Sequence, residues 1–497
     1  MPYNFDQLLT PGRQASRPVE GFNRRATDSA EHKKAQRIEP KKNLVFGEDI
    51  WTSPVPERTA QGLQGLYAAF QDAQGRRFGL DADRLSKHLL LLGGIGSGKT
   101  NVFRFLLESL LKKQTAEDIV FIFDTKGDYY ETFYQPYNPN HIVIGNGRKY
   151  AGQTCYWNVF GELEGADGIF SSEDEFTAKE IGKQLFEGRG SETQPFFGIA
   201  AADLVAKLLI DFERQARQSG DRSRLNNRDL TGWLKASSLE RYIEMIRRNP
   251  DFSSAYLYFG DPAQGVKQKL TPQALAVFAY INAMCSDLLS GIFEKSDPDR
   301  EFSMRRLVRD RGKNGGRTVV FIEYDLSVGE VLGPMYRLLI DLALKEALSQ
   351  SGARQGSVVF AIDEFKLLPN LMHIDDALNF GRSLGIKVLA GLQSVSQIYA
   401  GYGEERGGAI LSGFMNSFCF QTPDGTSRQY ISRRFGGNCT HLHYRVLDEH
   451  MTFQREGHTV EDWDILSLGI GQAVVDLVGE PPFMFQFQDF EHPHAVL

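Results

Sequence analysis

Apolar residues in this chain fall into two alternating patterns separated by a third. Lys87–Gly93 is a dense apolar run that ends in glycines, and Asn101–Lys113 follows with Val102, Phe105, Leu106 and Leu110 at helical spacing. Asp118–Asp124 and His141–Ile144 are again short and apolar. The pattern returns far downstream, with strands expected at Arg317–Tyr324, Ser357–Asp363 and Ile386–Leu392 and a helix at Leu332–Leu348. Continuous apolar strands alternating with helices predict an α/β fold with a parallel sheet covered on both faces. Between the two stretches, Phe176–Phe186, Phe196–Gln215, Ser238–Arg248 and Ala274–Phe293 all have helical spacing, so about 165–300 is expected to be mostly helical. The division that follows is a flexible basic tail at 1–44, the first part of a nucleotide-binding domain at 45–199, an inserted all-α domain at 200–300, and the second part of the first domain at 301–497. The tail is expected because it is polar, carries Pro11, Pro18 and Pro40, and includes Arg24, Arg25, Lys33, Lys34, Lys41 and Lys42. No fixed-period repeat occurs, which argues against a solenoid.

Composition changes this picture little. Apolar residues make up 41% and charged residues 24% of the chain, and the net charge of −7 argues against a surface coated in nucleic acid. DNA held inside a channel is not excluded, because local charge governs that. Cys155, Cys285, Cys419 and Cys439 form no close pair, which fits reduced thiols rather than a zinc or redox motif. His441 and His443 stand two apart and would face alike on a strand, without a partner motif for a metal. No apolar run approaches the roughly 20 residues of a membrane span, and no signal peptide is evident, so a soluble, cytoplasmic chain is expected.

The chemistry lies where strands end. Gly93-Gly94-Ile95-Gly96-Ser97-Gly98-Lys99-Thr100 matches GxxxxGK[ST], the Walker A loop, and sits between an apolar strand and an amphipathic helix. Its glycines let backbone N–H groups curl inward around phosphate, and the helix N-terminus adds its dipole. Lys99 is expected on the β- and γ-phosphates of ATP and Thr100 on Mg2+, with Asn101 counted among the binding residues. The run Val358–Ile362 delivers Asp363 and Glu364 at the end of a distant strand, a Walker B pattern. Asp363 would hold the Mg2+ shell and Glu364 would polarise the attacking water. Gln393 ends the next strand, positioned to sense the γ-phosphate. Arg382 precedes that strand and cannot easily reach its own nucleotide, which makes it a candidate arginine finger for a neighbouring subunit. Asp124 is expected on the metal side of the site. Both halves of this site lie outside the helical segment, so deleting that segment is expected to spare nucleotide binding.

At these residues the sequence resembles the type IV coupling proteins of bacterial conjugation, the TraG/TraD-like ATPases of the FtsK–HerA class. The resemblance covers roughly residues 85–490 and rests on features in family order. These are the phosphate loop, Asp124-Thr125-Lys126-Gly127-Asp128, Tyr156-Trp157-Asn158-Val159-Phe160, the helical insertion, Asp363–Pro369, Gly381–Gln397, Tyr402-Gly403 and the closing stretches Leu466–Leu468, Gln472–Val478 and Pro481–Phe490. It implies a RecA-like P-loop NTPase domain with an inserted all-α domain. It also implies Lys99, Thr100, Glu364, Gln393 and Arg382 as phosphate lysine, magnesium threonine, catalytic glutamate, sensor and finger. It implies a homohexamer that hydrolyses ATP with Mg2+ and moves DNA, or relaxase-linked DNA, toward a secretion channel. Members of the family usually begin with membrane-spanning helices. None is evident here, so the expectation is a soluble member held at the inner face of the membrane by a separate partner. Two alternatives are a HerA-like cytosolic translocase in repair or defence, and a nucleotide-controlled receptor platform. Intact Lys99 and Glu364 favour a motor over a platform, and the lack of a recognisable β-barrel before Lys87 disfavours HerA proper.

Overall fold

The computed structural model describes residues 41–491, apart from 49, 51–53, 56–67, 166–167, 189–194, 237, 260–270, 314, 351–355 and 447–448. The expected tail therefore lies outside the described residues except for its last four positions. Among the described residues two units are distinguished, one made of those up to Gly47 with Gly437–Gly457, the other of the rest.

The larger unit is built on a nine-stranded sheet. Its strands in chain order are β1 (Leu89–Leu92), β2 (Ile119–Asp124), β3 (His141–Gly145), β4 (Thr318–Glu323), β5 (Val358–Ile362), β6 (Ile386–Leu392), β7 (Asn416–Phe420), β8 (Gln472–Asp476) and β9 (Phe483–Gln486). They lie in the spatial order β9-β8-β7-β1-β6-β5-β2-β4-β3. The strands from β7 to β3 pair in parallel, while β8 and β9 close the β7 edge antiparallel. Every residue of β1, β2, β4, β5, β6 and β7 is buried, which is why these strands read as unbroken apolar runs.

Successive strand residues point to opposite faces and feed two cores. One face, with Leu89, Leu91, Val120 and Ile122, packs against the helix Lys99–Lys113 and the small hairpin Ala68–Gln71/Arg77–Leu80. The other, with Leu90, Leu92, Phe121 and Phe123, packs against the helix Gly329–Ser349 and continues without a break into the helical segment. That segment comprises Ser172–Phe186, Phe196–Ser219, Asn227–Lys235, Leu239–Arg248 and Pro272–Leu288. Its entry and exit are stitched together, because Tyr156–Trp157 pairs in parallel with Glu301–Phe302. Buried Glu162 binds them further, accepting from Trp157 Nε1 at 2.8 Å and from the backbone N–H of Met304 at 2.6 Å. Phe160 stacks on Phe212 of the inserted helix at 5.5 Å between centroids. The segment thus shares a core with the sheet. No helix among the described residues is long and apolar enough to cross a membrane.

The smaller unit is a three-stranded sheet in the order Lys41–Phe46, Gly437–Val446, Glu449–His458. Lys41–Leu44, expected at the end of the tail, are instead strand residues. Their partners, Thr440–His443, lie about 400 positions away in sequence, a pairing that local composition does not reveal. His441 and His443 do share this strand, with ring centroids 6.3 Å apart, and His443 meets Thr452 Oγ1 at 2.9 Å.

Candidate nucleotide site

The glycine loop leaves β1 and is fixed from three sides. Gly93 N–H donates to Leu392 O at the end of β6 at 3.0 Å, Gly94 N–H to Gln421 O beyond β7 at 2.7 Å, and Gly471 N–H to Ser97 O at 2.9 Å. Gly98, with φ +108°, opens the helix Lys99–Lys113, and a Cβ there would stand 2.9 Å from Gly471 Cα. A side chain is excluded at this position both by backbone conformation and by space. The Lys99 ammonium is folded over the loop, donating to Gly93 O at 2.5 Å and Gly94 O at 2.9 Å. Burial holds its pKa below the usual lysine range, offset by the carboxylates of Asp363 and Glu364. Ser97 Oγ is buried inside the loop and has no hydrogen-bond partner among the described residues. An unpaired hydroxyl, an ammonium and a ring of glycine backbone at a helix N-terminus make a donor set that fits phosphate oxygens.

Opposite the loop, β5 ends in Asp363 and Glu364. Asp363 Oδ2 accepts from Thr100 Oγ1 at 3.0 Å and from the Tyr129 hydroxyl at 2.6 Å. Burial pushes Asp363 above the usual carboxylate range, while those two bonds and Lys99 pull it down. Hard oxygen donors from Asp363 and Thr100 fit a Mg2+ ion that keeps several of its waters. Gln393, one residue past β6, donates through Nε2 to Glu364 Oε2 at 2.6 Å, and Lys366 Nζ lies 3.5 Å from Glu364 Oε1. Gly391 lets β6 approach this corner, since a Cβ on it would meet Asp363 O at 2.2 Å. Lys99, Thr100, Asp363, Glu364 and Gln393, far apart in sequence, therefore converge at the carboxyl edge of one sheet, where α/β folds bind ligands.

Arg382 and Asn101 stand outside this cluster, Arg382 as its expected role toward a neighbouring subunit requires. Arg382 lies before β6, whose seven residues separate it from Gln393 by roughly 23 Å at strand rise. It is exposed and pairs with Asp83 at 2.8 Å. Asn101 turns its side chain from the loop to the C-terminal segment, donating to Gln488 O and accepting from Phe490 N–H, both at 2.7 Å.

Asp124 closes β2 next to Asp363, on the side of the site expected from the sequence. Its carboxylate is taken by backbone N–H groups: Lys126 at 3.0 Å, Gly127 at 2.9 Å, Tyr129 at 2.8 Å and Tyr130 at 3.3 Å. It shapes a turn rather than presenting oxygen to a metal. Sequence reasoning also passed over Tyr129, and over Glu323 at the end of β4, which pairs in register with Asp124. The available signal for Glu323 was an acid closing an apolar strand, as in Asp124 and Asp363. Its carboxylate accepts a hydrogen bond from the Tyr150 hydroxyl. Burial, with the Asp124 carboxylate adding to it, pushes Glu323 from 4.5 up to about 8. Folded, it keeps its proton through the window from about 4.5 to 8 in which the unfolded chain releases it, so its contribution to stability falls as pH rises across that window. Glu323→Gln is expected to flatten this slope, gaining on the order of a few kcal/mol over wild type at pH 8 and little at pH 4.5. Denaturant midpoints at the two pH values check it; an unchanged slope contradicts a buried neutral acid.

A family model described as the type IV secretion-system coupling protein DNA-binding domain matches residues 78–445. The chain belongs to the type IV coupling protein family. Among curated relatives of this coupling protein, Coupling protein TraD of Escherichia coli (strain K12) is 20% identical over 352 residues, covering 70% of this chain and 44% of that one. Conjugal transfer protein TraG of Rhizobium radiobacter is 29% identical over 124 residues, covering 24% and 19%. The chain thus spans less than half the length of either relative. Among solved structures, the bacterial conjugative coupling protein TrwBdeltaN70 superposes with TM-score 0.67 at 18% identity, covering 92% of this chain and 96% of that one. Plasmid coupling protein TrwB in complex with ADP and Mg2+ gives 0.65 at 19%, with the same coverage. VirB4 of Thermoanaerobacter pseudethanolicus gives 0.50 at 12%, covering 87% and 98%. At these identities the likeness establishes the fold of the coupling protein, a RecA-like P-loop NTPase domain with an inserted all-α domain.

Proposed function

We propose that this chain is an ATP-hydrolysing motor of conjugative or type IV secretion transfer, working as a ring of six and moving DNA or relaxase-linked DNA. The carrying observation is the convergence of Lys99, Thr100, Asp363, Glu364 and Gln393 at one sheet edge. In this reading the glycine loop from Gly93 to Thr100 cradles the phosphates of ATP, and the Lys99 ammonium leaves the carbonyls of Gly93 and Gly94 for phosphate oxygens. Asp363 and Thr100 hold Mg2+, which neutralises phosphate charge when bound. Glu364 orients and deprotonates water, and Gln393, already bonded to it, reports the γ-phosphate to β6. The binding of ADP and Mg2+ by TrwB supports the cofactor assignment. Localisation is cytoplasmic, at the inner face of the membrane through a partner protein of the secretion channel.

Arg382 is the finger of this reading, given in trans. Its distance from its own Gln393 and its exposure support that role. Arg382→Ala is expected to bind ATP and lose hydrolysis by about 10³-fold. Mixing it with Lys99→Ala is expected to restore part of the activity, because one interface then combines an intact loop with an intact finger. Native mass determination establishes that mixed oligomers form. Mixed rings without rescue overturn the finger, and a fully active monomer overturns the ring.

A further inference from the structure

We propose that Tyr129 is a positioning residue for Asp363, and that the turn from Asp124 to Tyr129 is built to present its hydroxyl; this rests on the nucleotide-site reading above. Tyr129 begins as an ordinary buried aromatic. It is 2% exposed and its ring packs near Phe103, with centroids 6.4 Å apart. A phenylalanine would fill that space equally well. A hydroxyl buried among apolar groups is costly unless it is paired. Here it is paired, donating to Asp363 Oδ2 at 2.6 Å.

The same oxygen accepts from Thr100 Oγ1 at 3.0 Å. Two donors from separate segments, one on the phosphate-loop helix and one on the turn after β2, converge on Oδ2 and fix the carboxylate plane. On the remaining side β6 presses close, for a Cβ on Gly391 would come 2.9 Å from Asp363 Oδ1. The carboxylate has little freedom to rotate.

The position of the phenol is in turn set by backbone. Asp124 is 2% exposed and gathers four N–H groups on its two oxygens, Lys126 and Gly127 on Oδ1, Tyr129 and Tyr130 on Oδ2. Gly127 makes the tight turn at φ +78°, where an added Cβ would collide with Lys149 and Tyr150. The short helix Asp128–Phe133 starts from this turn with Tyr129 in its first turn. Asp124 thus acts on Asp363 through Tyr129, two steps from the reacting atoms. Partners of metal-ligating carboxylates commonly change metal affinity by about 10–100-fold.

The test is nucleotide binding, not turnover. A fluorescent ATP analogue is titrated into the full chain without Mg2+, then with increasing Mg2+. Tyr129→Phe is expected to bind the analogue without Mg2+ as wild type does, and to need about tenfold more Mg2+ for half of the Mg2+-dependent gain. Asp124→Asn, which loses carboxylate acceptors for the turn, is expected to show the same Mg2+ shift. It stands in as the second variant should Tyr129→Phe unfold. Wild-type Mg2+ dependence in a folded variant overturns the inference alone. A wild-type chain that binds no nucleotide overturns the site reading and this inference with it.

Discussion

Glu364→Gln is expected to keep ATP bound while hydrolysis falls by about 10²–10⁴-fold, the usual contribution of a positioned general base. The substitution is nearly isosteric, and binding is carried by groups it does not touch: the glycine loop, Lys99, and the pair of Thr100 with Asp363. What it removes is an oxygen able to accept a proton from water. It also alters the contact with Gln393, whose Nε2 donates to Glu364 Oε2 at 2.6 Å. An amide at 364 still offers one acceptor, so strand geometry survives and the loss reads as chemistry. Equilibrium binding of radiolabelled ATP beside single-turnover hydrolysis separates the two. Turnover at the wild-type rate contradicts the role given to this acid.

Lys99→Ala is expected to fail one step earlier, with ATP affinity reduced by about 10–100-fold, in line with a charge-assisted hydrogen bond of roughly 1.5–3 kcal/mol. The ammonium is buried against Gly93 O and Gly94 O, and burial already holds it below the usual lysine range. A phosphate offers a charged partner in place of those carbonyls, and that exchange is what the substitution removes. The loop itself is anchored by Leu392, Gln421 and Gly471, none of which depends on Lys99. Thermal unfolding should therefore shift little while calorimetric ATP binding weakens. Undiminished affinity would place the phosphates elsewhere.

Much of this site is written in local sequence, because its parts are strand ends. An apolar run followed by glycines, or by two acids, marks the carboxyl edge of a buried parallel strand without reference to any partner. That logic placed Lys99, Thr100, Asp363, Glu364 and Gln393 together across nearly 300 positions. It gives an acid's place at the sheet edge but not its partners. Asp124 ends its strand as Asp363 does, yet four backbone N–H groups consume its oxygens. Tyr129 reads as one more aromatic on a short helix, since nothing nearby in sequence names Asp363 as its partner. The strand Lys41–Phe46 was hidden in a polar, lysine-bearing stretch because its partner is remote. The helical segment was legible as helices but not as a shared core. Phe160 against Phe212, and Tyr156–Trp157 beside Glu301–Phe302, tie it to the sheet. A clean deletion of 200–300 would uncover that core, so surface substitutions are the better probe of what the helices contact.

The most direct test of the central claim is the steady-state rate of ATP hydrolysis by the full chain with Mg2+, measured alone and with single- or double-stranded DNA, in wild type and Glu364→Gln. The expected result is Mg2+-dependent hydrolysis by wild type that rises with DNA and is lost in the variant. No hydrolysis by wild type under any of these conditions, or a rate that neither DNA nor Glu364→Gln changes, would contradict an ATP-driven DNA motor.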